Sequence, residues 1–296
     1  MDKQPVIQTN NLTKMYRGFM KSDVLALDHL NMEVGRGEVF GLLGPNGSGK
    51  TTTTKLLLGL IFPTGGSAAV LGKPAGDIGS KNRIGFLPEE SYLYRFLNAE
   101  ETLDFYGRIF GLRRAERRRR TDELIELVGL QYARKRPLGG FSKGMSRRIG
   151  LAQALINDPE LIFLDEPTSG LDPIGRQEVK ELILRLKDAG KTVMLCTHLL
   201  PDVQDVCDRV AILHNGRLCE QGSLDDLLML KDRTQFTIDG LTDAQREELK
   251  RFLAGMGRGD VGLVHPYDTL SSLFMRIIDA ERSRSDEGPQ KSNVPE

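Results

Sequence analysis

The sequence predicts an α/β fold: a largely parallel β-sheet interleaved with helices, broken once by a helical insertion and followed by a small C-terminal α+β extension. Three observations carry that expectation. Continuous apolar runs at Val39–Leu43, Leu161–Leu164 and Thr192–Cys196 have the pattern of strands buried on both faces. Helix-type stretches, Thr51–Leu60 and Gln177–Ala189, follow the first two runs. The segment 92–156 breaks this alternation with helical signals only.

In chain order, residues 6–16 and 23–34 read as short strands, and Gly35-Arg36-Gly37-Glu38 as a turn. Within 92–156, Asn98 with Glu101 three residues on is a helix-start pair, close to a capping box. Leu103, Tyr106, Ile109 and Phe110 then fall on one helical face. Asp122–Leu130 and Ser142–Leu155 continue as helices. Asn215-Gly216, between Val210–Leu213 and Leu218-Cys219, predicts a tight hairpin turn that closes the core near Gly222. The domain boundaries expected are 1–225 for the core, 226–280 for the accessory unit and 281–296 for a disordered tail poor in aromatics. In the accessory unit, Gln235–Ile238 and Val261–Val264 read as strands, Thr242 with Gln245 as a capping box for a helix to Ala254, and Thr269–Ile278 as a second helix.

Composition excludes several classes. The 296 residues carry 41 basic and 41 acidic side chains, so no global basic excess marks a nucleic-acid binder. Mean hydropathy of −0.30 fits a soluble globular chain. The charge-free stretch Leu56–Gly72 is too short for a span and holds Pro63, Gly65 and Gly66. Met1–Pro5 opens no signal peptide. Cys196, Cys207 and Cys219 lack metal-type spacing and read as free thiols. The basic run Arg113–Arg120 has acids close by at Asp122, Glu123 and Glu126, so a solvated helix face is the plain reading, with acidic lipid or nucleic acid as the other.

Two segments carry chemistry. Gly44-Pro45-Asn46-Gly47-Ser48-Gly49-Lys50-Thr51 matches the G-x-x-x-x-G-K-[ST] phosphate loop, between a buried strand and a helix. Glycines let successive N–H groups turn toward an anion, and the helix that starts near Lys50 presents its positive end to it. Lys50 is placed to reach the outer phosphates, the Thr51 hydroxyl to ligate Mg²⁺, and Thr52 to complete the binding turn. Downstream, Leu161-Ile162-Phe163-Leu164-Asp165-Glu166 puts two carboxylates at the end of a strand expected beside the phosphate-loop strand. There Asp165 is suited to Mg²⁺ and Glu166 to orienting or deprotonating a water.

Further landmarks occur in order: Phe86-Leu87-Pro88-Glu89, Phe141-Ser142-Lys143-Gly144-Met145, Ser169-Gly170-Leu171-Asp172 and Thr197-His198. Together with the phosphate loop and the carboxylate pair, this set resembles the ATP-binding-cassette (ABC) ATPases over roughly residues 6–225. The resemblance implies a P-loop NTPase core with an antiparallel β subdomain and an α-helical insertion. It also implies a head-to-tail dimer of two copies with ATP between them. Ser142 and Gly144 of one copy would then face the phosphate loop of the other, and Asp172 would lie at the seam. By the same resemblance His198 touches the γ-phosphate and supports Glu166, Tyr16 stacks on adenine, and Glu89 joins Thr51 and Asp165 around Mg²⁺. Glu89 stands where the family usually has Gln, and Lys143 and Met145 where Gly and Gln are common. This signature resembles the bacterial exporter branch whose membrane subunits are separate chains. The expected protein is therefore the ATPase subunit of an exporter, held on the cytoplasmic face of the membrane by integral permease subunits, with no nucleic-acid partner. The alternatives are a soluble cassette ATPase acting on ribosomes or DNA, and a non-transport regulatory ATPase.

Overall fold

The computed structural model describes residues 4–18, 22–90, 92–228 and 240–255. The chain divides into two compact units, Met1–Met229 and Leu230–Glu296.

The first unit begins with β1 (Ile7–Tyr16), β2 (Val24–Leu30), β3 (Glu33–Val34) and β4 (Val39–Leu43). After β4 come α1 (Lys50–Leu57), β5 (Gly65–Val70), β6 (Lys73–Pro74), α2 (Ile78–Lys81) and β7 (Ile84–Leu87). The helical insertion is α3 (Ala99–Ile109), α4 (Arg114–Leu127) and α5 (Lys143–Ala154). The chain then runs through β8 (Leu161–Asp165), α6 (Pro173–Asp188), β9 (Thr192–Thr197), α7 (Leu200–Val206), β10 (Arg209–His214), β11 (Arg217–Ser223) and α8 (Leu224–Leu228).

Two sheets form. The smaller is antiparallel, in the order β2-β1-β5-β6 with β3 also on β1. The larger has the order β11-β10-β4-β9-β8-β7 and is parallel except for the β10–β11 hairpin. Its central strands alternate between two cores, as the two-residue period of a strand requires. Phe40 and Leu42 of β4, Leu161 and Phe163 of β8, and Met194 and Cys196 of β9 face the core shared with the antiparallel sheet. Val39 and Leu43, Ile162 and Leu164, and Val193 and Leu195 face the core shared with α5, α6 and the insertion. The expected α/β architecture with an antiparallel β subdomain and a helical insertion is the one observed.

Several local expectations are corrected. The strand ending at Asp165 does not lie beside the phosphate-loop strand, because β9 pairs with both and stands between them. Strand order is a tertiary property with no local signal. Helix α4 begins at Arg114, not Asp122, and ends before Gly129, whose φ of 65° breaks it. The basic run itself is the expected solvated helix face; Arg119 and Arg120 pair with Glu123, and Arg117 pairs with Asp104 of α3. Ile109 is 63% exposed rather than sharing the buried side with Leu103, since α3 ends there. Helix α6 starts at Pro173, four residues before the expected Gln177, because Asp172 caps it with Pro at the first position. Helix α1 stops at Leu57, short of Leu60, and Gly59 follows with φ 65°.

Other signals are met. The Asn98–Glu101 capping box has both reciprocal bonds, each 2.9 Å. The Asn215-Gly216 turn has φ of 48° and 78° at its two residues, the geometry of a tight hairpin. In the second unit, α9 (Asp243–Gly255) follows the Thr242–Gln245 box. The strands expected at 235–238 and 261–264, the helix at 269–278 and the tail lie outside the described residues.

Candidate functional site

The C-terminal ends of β4, β8 and β9 bring the predicted residues together. The loop 44–49 leaves β4 and enters α1 at Gly49, whose φ is 108°. A Cβ there would sit 2.7 Å from the Ala26 carbonyl oxygen, so only glycine fits. The loop is braced from outside: Ser48 N–H donates to the Pro45 carbonyl, and Gly216 N–H of the hairpin turn donates to the Ser48 carbonyl at 3.0 Å. Gly44 and Thr52 are half-buried, whereas Pro45, Asn46 and Gly47 form the exposed rim. Lys50 is 6% exposed, and its Nζ donates to the carbonyls of Gly44 (2.6 Å) and Pro45 (3.2 Å). The Ser48 hydroxyl is buried with no partner. An orphaned buried hydroxyl in this glycine-rich loop suits an anionic oxygen.

Thr51 Oγ1 donates to Asp165 Oδ2 at 3.4 Å. Asp165 and Glu166 are both buried at the end of β8. Glu166 has φ 47°, a left-handed conformation, and its N–H donates to the Cys196 carbonyl of β9. Its carboxylate has two partners: Thr197 Oγ1 donates to Oε2 at 2.9 Å, and His198 Nδ1 lies 2.8 Å from Oε1. With Glu166 ionised, Nδ1 carries the hydrogen. The intervening β9 therefore supplies the partners of Glu166 rather than separating the carboxylates from the loop.

Burial holds the Asp165 carboxyl above the usual range, with the negative charges of Glu89 and Glu166 adding to it; the Thr51 bond and Lys50 act the other way. A raised folded value means that the native state holds this proton more tightly than the unfolded chain. Stability from this group is full below the unfolded value and is lost as pH rises through the folded one. Asp165→Asn is accordingly expected to raise the melting temperature of the nucleotide-free protein at about pH 7, with the gain fading toward about pH 4. A lower melting temperature at neutral pH would contradict this.

Hard oxygen donors with few protein ligands fit Mg²⁺, which is commonly held by one or two side chains together with substrate phosphates. Among the described residues no cluster of three or more acidic, His or Cys side chains forms an all-protein metal cage.

The other predicted residues lie elsewhere. Ser142 caps α5, accepting from Met145 N–H at 3.2 Å, and is exposed; Gly144 is half-buried in the first turn. Asp172 accepts from Gly175 N–H and is exposed. Tyr16 ends β1, 41% exposed, with Lys14 Nζ 5.2 Å from its ring centroid. Among the described residues no hydrogen bond or ion pair links these four to Lys50, Asp165, Glu166 or His198. Sequence reasoning missed Arg147 and Gly216, whose partners are backbone carbonyls far away along the chain.

Residues 27–169 match the family model described as "ABC transporter". The chain is 45% identical to an ABC transporter ATP-binding protein of Synechocystis sp., over 94% of this chain and 81% of that protein. It is 43% identical to the bacitracin transport ATP-binding protein BcrA of Bacillus licheniformis, over 75% of this chain and 71% of that one. Among solved structures, it resembles a dimeric, post-hydrolysis ATP-binding cassette, MJ0796, bound to ADP and Pi. The TM-score is 0.67 at 26% identity, covering 74% of this chain and 98% of that one.

Proposed function

Since the chain belongs to the ABC transporter ATP-binding family, whose members bind and hydrolyse ATP, we propose that it is the ATPase subunit of an exporter and works through a separate membrane permease. The observation that carries the catalytic part is the convergence of Lys50, Thr51, Asp165, Glu166 and His198 at one sheet edge. In this reading the backbone N–H groups of Asn46, Gly47 and Gly49, the Ser48 hydroxyl and Lys50 bind the ATP phosphates, with Gly44, Pro45 and Thr52 shaping the cradle. Thr51, Asp165 and Glu89 hold Mg²⁺. When bound, Mg²⁺ neutralises charge on the β- and γ-phosphates. Glu166 orients the attacking water and accepts its proton, while Thr197 and His198 keep the carboxylate in place. Tyr16 offers an exposed face to adenine.

A second copy of the chain supplies Ser142 and Gly144 at the γ-phosphate side, with Asp172 at the seam between the copies. The start of α5 suits that role, because Ser142 and Lys143 are exposed at a positive helix end. The dimeric state of the MJ0796 cassette supports this reading.

The transport role is supported by the likeness to the bacitracin transport ATP-binding protein BcrA. No helix among the described residues is long and apolar enough to cross a membrane. In our reading the permease is a separate chain that holds this subunit on the cytoplasmic face of the membrane. Affinity isolation of the full chain from detergent-solubilised native membranes tests this. Recovery of an integral membrane protein is expected; recovery of ribosomes in its place would contradict the transport reading.

A further inference from the structure

Arg147 is the fifth residue of α5 and is 7% exposed. Among the described residues its guanidinium makes no side-chain ion pair, and every N–H goes to a backbone carbonyl. Nε donates to Pro167 at 3.1 Å. Nη1 donates to Pro88 at 2.5 Å and to Glu89 at 2.9 Å. Nη2 donates to Asp165 and, at 2.8 Å, to Glu166. All five donors of the planar fork are used. Lysine, with one compact ammonium, cannot span carbonyls on two separate segments in this way.

The acceptors are not arbitrary. Three belong to the consecutive residues Asp165, Glu166 and Pro167, and they lie on both sides of the left-handed Glu166 backbone. The other two belong to the Glu89 loop. One side chain therefore joins the helix that starts at Ser142, the loop that carries Glu89 and the turn that carries Glu166. Burial lowers the guanidinium to about 10, and the charges of Asp165, Glu89 and Glu166 oppose that shift.

We propose that Arg147 is a positioning residue for hydrolysis: by gripping the carbonyls around Glu166 it sets the direction of that carboxylate, and it ties the Glu89 loop to the same anchor. The proposal rests on the reading of Glu166 as the group that activates water. None of Arg147's hydrogen bonds reaches the phosphate loop. Its loss is therefore felt in the chemical step and not in nucleotide binding.

The test compares full-length wild type, Arg147→Gln, Arg147→Lys and Glu166→Gln. It measures steady-state ATPase kinetics and the Kd of a non-hydrolysable ATP analogue. Displacing a catalytic group by about 1 Å costs on the order of 100-fold, so R147Q is expected to lose about that much kcat. The analogue Kd is expected to stay within about twofold. R147K, which keeps the charge and part of the bonding, is expected to recover part of the loss. Wild-type kcat in a folded R147Q or R147K would overturn the proposal. So would parallel losses of kcat and analogue affinity in both variants, which mark general disruption of the site. A fully active E166Q would instead overturn the reading of Glu166 itself. An inactive E166Q beside a fully active R147Q would leave that reading intact and reject only the role of Arg147.

Discussion

Lys50→Ala is expected to reduce ATP turnover by two or more orders of magnitude and to weaken ATP binding as well. Lys50 is nearly buried, and its Nζ already sits inside the loop, bonded to the carbonyls of Gly44 and Pro45. A phosphate entering the ring of amides meets that ammonium without further rearrangement. Charge develops on the transferring phosphoryl oxygens, so the contact strengthens toward the transition state. Removing one preorganised electrostatic donor from such a site costs about 10²–10³ in kcat. Ground-state binding is lost in addition, because the ammonium also faces the bound phosphates. Folding is expected to survive, since the rest of the loop is braced by Gly216 and by the Ser48–Pro45 bond. Steady-state kinetics with a thermal melt checks both parts. Unchanged turnover in a folded K50A protein would reject the phosphate-loop assignment.

Glu166→Gln is expected to keep ATP binding and to lose hydrolysis. The substitution preserves size, and the amide oxygen still accepts from Thr197 or His198. It removes the base, and general-base catalysis is worth about 10²–10⁴. It also removes one of the two negative charges that hold the Asp165 carboxyl up. Binding therefore has no electrostatic reason to weaken. Single-turnover hydrolysis and analogue binding separate the two quantities.

What the sequence disclosed was local. The phosphate loop, the Asn98–Glu101 and Thr242–Gln245 boxes and the Asn215-Gly216 turn are each written in a few adjacent residues, and each takes the expected geometry. The carboxylate pair and Thr197-His198 were legible as strand ends, although their meeting depends on β9 lying between β4 and β8. That order was misread because parallel strands of similar apolar content carry no label for their neighbours. The arginine run forms the solvated helix face that its nearby acids suggest, with an i,i+4 pair to Glu123; only the start of α4, at Arg114 instead of Asp122, differs from expectation. Arg147 was invisible for a different reason. Its partners are backbone carbonyls, and any residue type supplies one of those.

In the mechanism proposed above, two copies of this chain close around ATP, and Glu166 opens them by driving hydrolysis. Light scattering coupled to size exclusion, on full-length Glu166→Gln with and without Mg-ATP, tests it most directly. A monomer is expected without nucleotide and a stable dimer with it. A monomer in both conditions would contradict the nucleotide-sandwich mechanism.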